Sequence, residues 1–477
     1  MPQTKQKNTD TASATRAGSS LRFVGAAGTV TGSKHLVTTT HGSLLVDCGL
    51  YQGLKELRLR NWDKPPFDVA KLRTVLLTHA HLDHVGYLPA IVKAGFSGHV
   101  FATHETVELA RIILSDSARL QVEEADRANR YGYSKHSPAR PLYDERDVER
   151  SMRLFRPIEF ERSFAPMPGV RAEFFSAGHL LGAAHIHLRV GRQTVLFSGD
   201  VGRFNDPLLP DPTAPTAADT LVIESTYGDR IHPELQPDDE IVEAIDPVLR
   251  RGGVVVIPTF AVGRAQSLVY SLHRLMVAHR LPRVQLFVNS PMASEATRVL
   301  LRYIDENADD RTIAEEAVRS AHHVESVEES KALNRRQGPM IILSASGMAT
   351  GGRVLHHIEQ FGRDPNNLIL FAGYQAPGTR GAAMVGGERQ IRMFGRYVSV
   401  TAQVRQLHTV SGHADQAGLL GWIAALPSPP KRVFITHGEP TAADVLRRRI
   451  SETFGIPVRV PNYGERVPLA YDPPPPT

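Results

Sequence analysis

The 477-residue chain is poor in cysteine: Cys48 is the only one. No internal disulfide can form, and a structural zinc site built on several thiolates is excluded. Any metal must be held by His, Asp or Glu. A lone cysteine also fits a reducing compartment such as the cytoplasm. Long apolar runs are missing too. None reaches the ~18 residues that a membrane-spanning helix needs. The opening MPQTKQKNTDTASATRAGSS has no apolar core, so it does not read as a secretory signal. No repeat of solenoid length recurs. There is no acidic excess either: the formal charge is +5 and the pI about 9.2. That balance suits a polyanionic partner, and equally a surface whose arginines serve solubility.

What is present is an ordinary globular composition, 42% hydrophobic and 22% charged, in a chain long enough for more than one folding unit. Residues 1–19 are polar and read as a disordered tail, and DPPPPT at the other end as a short proline-rich tail. Between them, LRFVGAAG, SLLVDCG, TVLLTHA, VLFSGD, LVIEST, GVVVIPTF, MIILSASG, LILFAGY and RVFITHGE read as strands. Each closes on small, polar or ligand-type residues, as in α/β sheets that carry chemistry at strand ends. Helical periodicity runs through ETVELARIILSDSARLQVEEADRANR, AQSLVYSLHRLMVAH and TAADVLRRRISETFG. The Pro- and Asp-rich stretch 206–219 and GYQAPGTRG near 373–381 read as domain boundaries.

The densest chemistry is THAHLDHVG, residues 78–86, with three histidines and an aspartate in six positions. Extended backbone puts residues i and i+2 on one face, so His79 and His81 can address one ion. Asp83 and His84 follow in a turn and can serve a second. One motif cannot fill two sites, and further ligand types stand after other strand-like runs: His179 in SAGHLLGAAH, Asp200 in VLFSGD and His437 in VFITHGE. Taken singly, each reads as a hydrogen-bonded loop residue; beside the first motif, they read as ligands. A carboxylate can bridge two cations, and Asp200 is the candidate. Cys48 reads as packing. His356 and His357 are adjacent, so they occupy different helix faces and are not joint ligands.

HAHLDHVG resembles the signature of the metallo-β-lactamase fold, and Asp47 in LLVDCG matches that superfamily's first motif. The resemblance implies an α/β fold: an αββα sandwich with His79, His81 and His179 on one zinc, Asp83, His84 and His437 on another, and Asp200 between them. It gives Asp47 a supporting role, orienting the ligands through hydrogen bonds. ESTYGDR (224–230), IPTFAVGRAQ (257–266), SPMA (290–293), SASGMATGGRVLHH (344–357), GYQAPGT (373–379), SGHADQ (411–416) and THGE (436–439) resemble the β-CASP branch. That likeness implies a second α/β domain inserted in the first, and nucleic-acid substrates. The expected division is residues 20–210 and 374–477 for the lactamase-like domain and 211–373 for the insertion. Glu224, His413 and His437 match the branch's motifs A, B and C. Histidine at motif C implies RNA, where DNA-directed members carry Val. The nearer resemblance is to compact bacterial RNA-processing enzymes related to the eukaryotic pre-mRNA 3′-end cleavage endonuclease.

The expected activity is therefore hydrolysis of single-stranded RNA by a cytoplasmic enzyme with two Zn²⁺ per chain. A hydroxide bridging the metals would attack phosphorus, oriented by Asp200. His413 would act as general acid, held and kept protonated by Glu224. The turn containing Ser346, Gly347, Gly351 and Gly352 precedes a helix, and reads either as a phosphate cradle or as a flexible turn with a cap. Arg264 reads either as a phosphate ligand or as a packing or ion-pair residue. A homodimer is implied by resemblance alone. The rival readings are a DNA-directed nuclease, a thioester or lactam hydrolase, and an RNA-binding scaffold without activity.

Overall fold

The computed structural model describes residues 18–132, 134, 136–304 and 309–470. The expected proline-rich tail lies outside the described residues, and so does the expected N-terminal tail apart from Gly18 and Ser19.

Two seven-stranded sheets form a sandwich. The first runs in the order Arg466–Pro468, Ser20–Phe23, His35–Thr39, Gly42–Val46, Leu72–Leu76, His99–Thr103, Phe155–Ile158. The second runs Val458–Arg459, Arg432–Ile435, Thr220–Ile223, Gln193–Phe197, Ala184–Val190, Val170–Ser176, Phe164–Met167. Phe23, Leu44, Leu76, Phe174, Leu188, Phe197 and Phe434 fill the space between them. The strand Gly42–Val46 shows why these runs are apolar at nearly every position. Leu44 and Val46 face the opposite sheet, and Leu45 faces the helices outside. With both faces covered, the period of two disappears from the sequence. The helix His104–Tyr131 covers the first sheet through Leu109, Ile113 and Leu114. The helices Gln416–Ala424 and Pro440–Phe454 cover the second through Trp422, Leu446 and Ile450. This is the expected αββα arrangement.

The insertion is a six-stranded, wholly parallel sheet in the order His322–His323, Gln285–Val288, Met340–Ser344, Val254–Pro258, Leu368–Ala372, Gln403–Leu407. Helices pack on both of its faces, Val255 and Ile257 pointing to one side and Val254 and Val256 to the other.

The sheets divide the chain later than the expected 210/211 and 373/374 boundaries. Thr220–Ile223 still belongs to the sandwich, paired in parallel with Gln193–Phe197 and Arg432–Ile435. The proline-rich stretch 206–219 is thus a connection between parallel strands of one sheet, which must be long. At the other end Gln403–Leu407 completes the inserted sheet, beyond the GYQAPGTRG loop. The insertion spans the helix Pro237–Arg250 through that strand.

The candidate residues gather at strand ends. Asp47, His79, Asp200, Glu224 and His437 follow the strands ending at Val46, Leu76, Phe197, Ile223 and Ile435. Neighbouring parallel strands carry these ends to the same edge of the sandwich, facing the insertion.

Candidate metal centre and its acid–base neighbour

Two donor sets share Asp200. In the first, His79, His81, His179 and Asp200 offer atoms all within 4.8 Å of one another. His79 Nε2 lies 3.1 Å and His179 Nε2 3.2 Å from His81 Nδ1. Asp200 Oδ2 is 3.5 Å from His79 Nε2 and 3.6 Å from His179 Nε2. In the second, His84 Nε2 lies 3.2 Å from His437 Nε2, and Asp83 Oδ2 is 3.3 Å from the same His437 atom. Asp200 Oδ1 reaches His84 Nε2 at 3.3 Å. Although buried, Oδ1 has no hydrogen-bond partner among the described residues.

These spacings fit metal ions. Tetrahedral zinc bonds of ~2.0–2.1 Å put ligand atoms roughly 3.3 Å apart. Imidazole nitrogens facing each other at that distance, beside a buried carboxylate oxygen without a hydrogen-bond partner, are a donor set that suits a cation. The electrostatics of the first donor set agree; in the second, burial opposes charge on His84, but Asp200 and Asp47 beside it raise that imidazole well above its usual range. Burial and neighbouring histidines push His79 and His179 well below the usual imidazole range, and burial takes His81 down to about 4. Neutral imidazole is the form that ligates. Burial opposes charge on Asp200, but His437, His84 and His79 around it hold the carboxylate ionised, well below its ordinary range.

The outer contacts select the nitrogen that faces inward. His84 Nδ1 lies 2.7 Å from Asp47 Oδ2, and His179 Nδ1 lies 2.8 Å from the Gly412 carbonyl. Both rings therefore donate outward and leave Nε2 free. Asp47 in turn accepts from Thr78 N at 2.8 Å, Thr78 Oγ1 at 2.9 Å and Ser33 Oγ at 3.2 Å. Asp47 and His437 both sit in left-handed backbone, at φ 62° and 49°. Such conformations cost non-glycine residues of order 1–3 kcal/mol and mark functional positions.

His413 stands next to this cluster, its ring 4.4 Å from that of His179. Its Nδ1 is 3.2 Å from Glu224 Oε1 and 4.0 Å from Asp200 Oδ2. Burial opposes the imidazolium, but Glu224 beside it raises His413 above its ordinary range. Glu224 is fixed by the backbone N–H groups of Val201, at 2.7 Å, and Thr226, at 3.2 Å. Asp415, adjacent in sequence, caps a helix instead: its Oδ1 accepts from Gly418 N.

Arg264 lies against the same loop. A Cβ on Gly412 would stand 2.8 Å from Arg264 Nη2, so a side chain there would push the guanidinium aside. The half-buried guanidinium has no ion-pair partner among the described residues. Ser346 Oγ accepts from Thr350 N at 2.9 Å, closing its own turn. Gly347 packs against Phe260, and the Phe260 ring lies 6.2 Å from that of His81. Gly352, at φ 79°, makes the turn, and Gly351 has open space where a side chain would be.

Two contacts had no sequence signal. His232 Nε2 donates to the His413 carbonyl at 3.2 Å, and its backbone N–H donates to Asp415 Oδ2 at 2.7 Å. Glu240 accepts from the backbone N–H groups of His408 and Thr409, each at 2.8 Å. Both pairings join residues some 170–180 positions apart, with nothing local to announce them.

An αββα sandwich with clustered histidines and carboxylates at its strand ends defines a metallo-hydrolase scaffold. Comparison with known families agrees. Residues 28–243 match the metallo-beta-lactamase superfamily, 265–384 the Beta-Casp domain, and 397–461 the Zn-dependent metallo-hydrolase RNA specificity domain. The chain is 38% identical to Ribonuclease TTHA0252 of Thermus thermophilus, over 93% of this chain and 99% of that protein. It is 30% identical to the transcription termination factor FttA of Cenarchaeum symbiosum, over 96% of this chain and 72% of that protein. It also resembles, at 28% identity, an RNase J-like protein of Methanocaldococcus jannaschii, over 91% of this chain and 96% of that one. Among solved structures, a protein of unknown function from Enterococcus faecalis V583 shares the fold at TM-score 0.51 and 13% identity, over 94% of this chain and all of that one. The chain belongs to the β-CASP family of RNA nucleases within the metallo-β-lactamase superfamily. Among the described residues, no helix is long and apolar enough to cross a membrane.

Proposed function

We propose that this protein is a zinc-dependent ribonuclease that hydrolyses phosphodiester bonds of single-stranded RNA in the cytoplasm. One zinc would be held by His79, His81 and His179, a second by Asp83, His84 and His437, with Asp200 shared. The observation that carries this reading is the donor set: imidazole and carboxylate atoms converge at ligand-to-ligand spacing around the unpartnered Asp200 Oδ1. Metal ions held by these residues would lower the pKa of bound water and neutralise phosphate charge.

The chain's own residues do the rest. Asp47 keeps His84 turned inward through Nδ1, and Thr78 and Ser33 keep Asp47 in place. The alkoxide leaving from phosphorus is strongly basic and needs a proton. His413, charged through its contact with Glu224, is placed to give it from the edge of the cluster. Arg264 offers a planar fork for a phosphate beside that histidine. The turn with Ser346, Gly347, Gly351 and Gly352 lines the insertion's side of the site. Its glycines let a backbone approach closely. RNA, rather than DNA, is supported by His437 and by the names of the relatives. A homodimer is compatible with this reading but no part of the chemistry requires one.

The test pairs a labelled RNA with a single-stranded DNA of the same sequence, with wild-type protein and Asp200→Ala under zinc-replete conditions. Wild type should cut RNA and Asp200→Ala should not. RNA left intact by the wild type sinks the reading; preferential cutting of DNA transfers it to a DNA-directed nuclease.

A further inference from the structure

A small hairpin on the insertion carries exposed aromatic side chains that its fold does not explain. Gln390–Met393 pairs with Arg396–Ser399, and Phe394 and Gly395 form the turn between them. Both turn residues have positive φ, 52° and 78°. A two-residue turn of that kind favours Asn-Gly or Asp-Gly. Phenylalanine there is strained, and strain at a residue points to a use for its side chain. The Phe394 ring is 42% exposed and stacks on His356, centroids 4.5 Å apart and 22° between planes. On the open face of the hairpin Arg392 stands opposite Tyr397, which is 71% exposed. Ile391, Met393 and Val398 supply the packing into the core beneath. Tyr397 and Arg392 therefore are not needed for it.

The hairpin is linked to the metal cluster. Arg380 donates through Nε to the Arg392 carbonyl at 2.7 Å, and through Nη1 to the Thr350 carbonyl at 2.8 Å. Thr350 belongs to the glycine-rich turn, Gly347 of that turn rests on Phe260, and Phe260 adjoins His81. A chain of contacts thus joins the ligands to the hairpin. Its charge is positive: Arg380, Arg389, Arg392 and Arg396 stand against Glu359 and Glu388. Aromatic faces beside arginines on a basic path are what single-stranded nucleic acid uses, since every base has a face to stack.

We propose that this hairpin is a stacking platform for the part of a single-stranded RNA that extends away from the metal cluster, with Phe394 and Tyr397 receiving bases and Arg392 a phosphate. The proposal rests on the ribonuclease reading above and gives the enzyme a second contact region on its substrate. It makes affinity depend on RNA length: strands too short to reach the hairpin bind without it.

The test uses the full-length, zinc-loaded protein and the double variant Phe394→Asn, Tyr397→Ser. Asparagine is the residue the turn prefers, so thermal stability should hold or rise. Binding of a labelled oligouridylate is read by anisotropy, and KM for its cleavage by kinetics. Bis(p-nitrophenyl) phosphate, too small to reach the hairpin, is the reference substrate. Each ring lost should weaken long-RNA binding roughly 5- to 150-fold. The ratio of kcat/KM for RNA to that for the small ester should fall by a similar factor. An unchanged RNA KM and affinity, or an equal loss on both substrates, overturns the proposal. So does an unchanged RNA affinity accompanied by an altered sedimentation coefficient, which assigns the surface to contact with a second copy of this chain. If the wild type leaves RNA intact, the ribonuclease reading falls. Anisotropy on the uncut strand then still decides the platform.

Discussion

The ligand cluster and the His413 loop almost touch, yet they are held by different means. The cluster hangs on strand ends of the sandwich. His79, His84, His179, Asp200 and His437 are all buried, and each ring nitrogen that could turn the wrong way is engaged by Asp47, Thr78, Thr226 or a carbonyl. The His413 loop lies where the chain returns from the insertion. Its side chain keeps 19% exposure. It is tied to the sandwich by backbone bonds from Ala414 to Val201 and from Arg203 to Gly412. It is tied towards the insertion by Glu240. The difference follows from the two tasks. Ligands must hold fixed spacing in a dry site. An acid must exchange protons with water between turnovers, so it sits at the edge.

The largest expected effect is on the shared residue. Asp200→Ala should abolish RNA cleavage and leave fewer than two zincs per chain by elemental analysis, because both donor sets lose a ligand and the only anion common to them. Full metal content with lost turnover would instead assign Asp200 to the reaction alone. His413→Ala should separate the two regions. Zinc content should stay at the wild-type level while kcat on RNA falls by ~10²–10⁴. An ester whose leaving group departs unprotonated should suffer far less. Equal loss on both esters would remove His413 from the acid's role. Asp47→Ala acts on the other side of the comparison. It frees His84 to rotate and leaves Thr78 N unpaired, so zinc affinity should fall ~10–100-fold in a chelator competition.

The same contrast explains what the sequence could and could not tell. THAHLDHVG is local: a strand, a turn and four ligand-type side chains within reach of one another, so its chemistry is readable from spacing. Asp200 and His437 are readable only because strand ends of neighbouring parallel strands meet. The likeness to a known family supplied Glu224 and His413; their 3.2 Å contact joins residues 189 positions apart. His232 and Glu240 have no such help, being one polar residue each in an irregular segment and on an exposed helix face. The sheets divide the chain at positions other than the expected boundaries for a related reason. Proline and aspartate mark an irregular connection, but a long crossover inside one parallel sheet is as irregular as a linker between domains.

The smallest effect should come from His232, and it is the sharpest probe of how the acid is held. Among the described residues the imidazole makes no hydrogen bond to the ligand cluster or to Glu224; it reaches the acid through the His413 carbonyl, through its ring contact with Tyr227 and, by its backbone, through Asp415. The Asp415 contact uses a main-chain N–H and survives substitution. His232→Ala removes a ring contact with Tyr227 and one neutral hydrogen bond, the latter worth ~0.5–1.5 kcal/mol, or roughly 2- to 10-fold in a rate. If that bond positions the acid, the loss falls on kcat for RNA and not on KM, and the ester with the unprotonated leaving group is spared. His232→Gln, which can still donate to the carbonyl, should recover most of it. If the bond only stabilises the loop, the melting temperature drops while both substrates keep the same ratio of rates. A fall on the small ester as large as on RNA would mean that the loop supports the ligands as well, through the Gly412 carbonyl on His179. The two regions would then act as one.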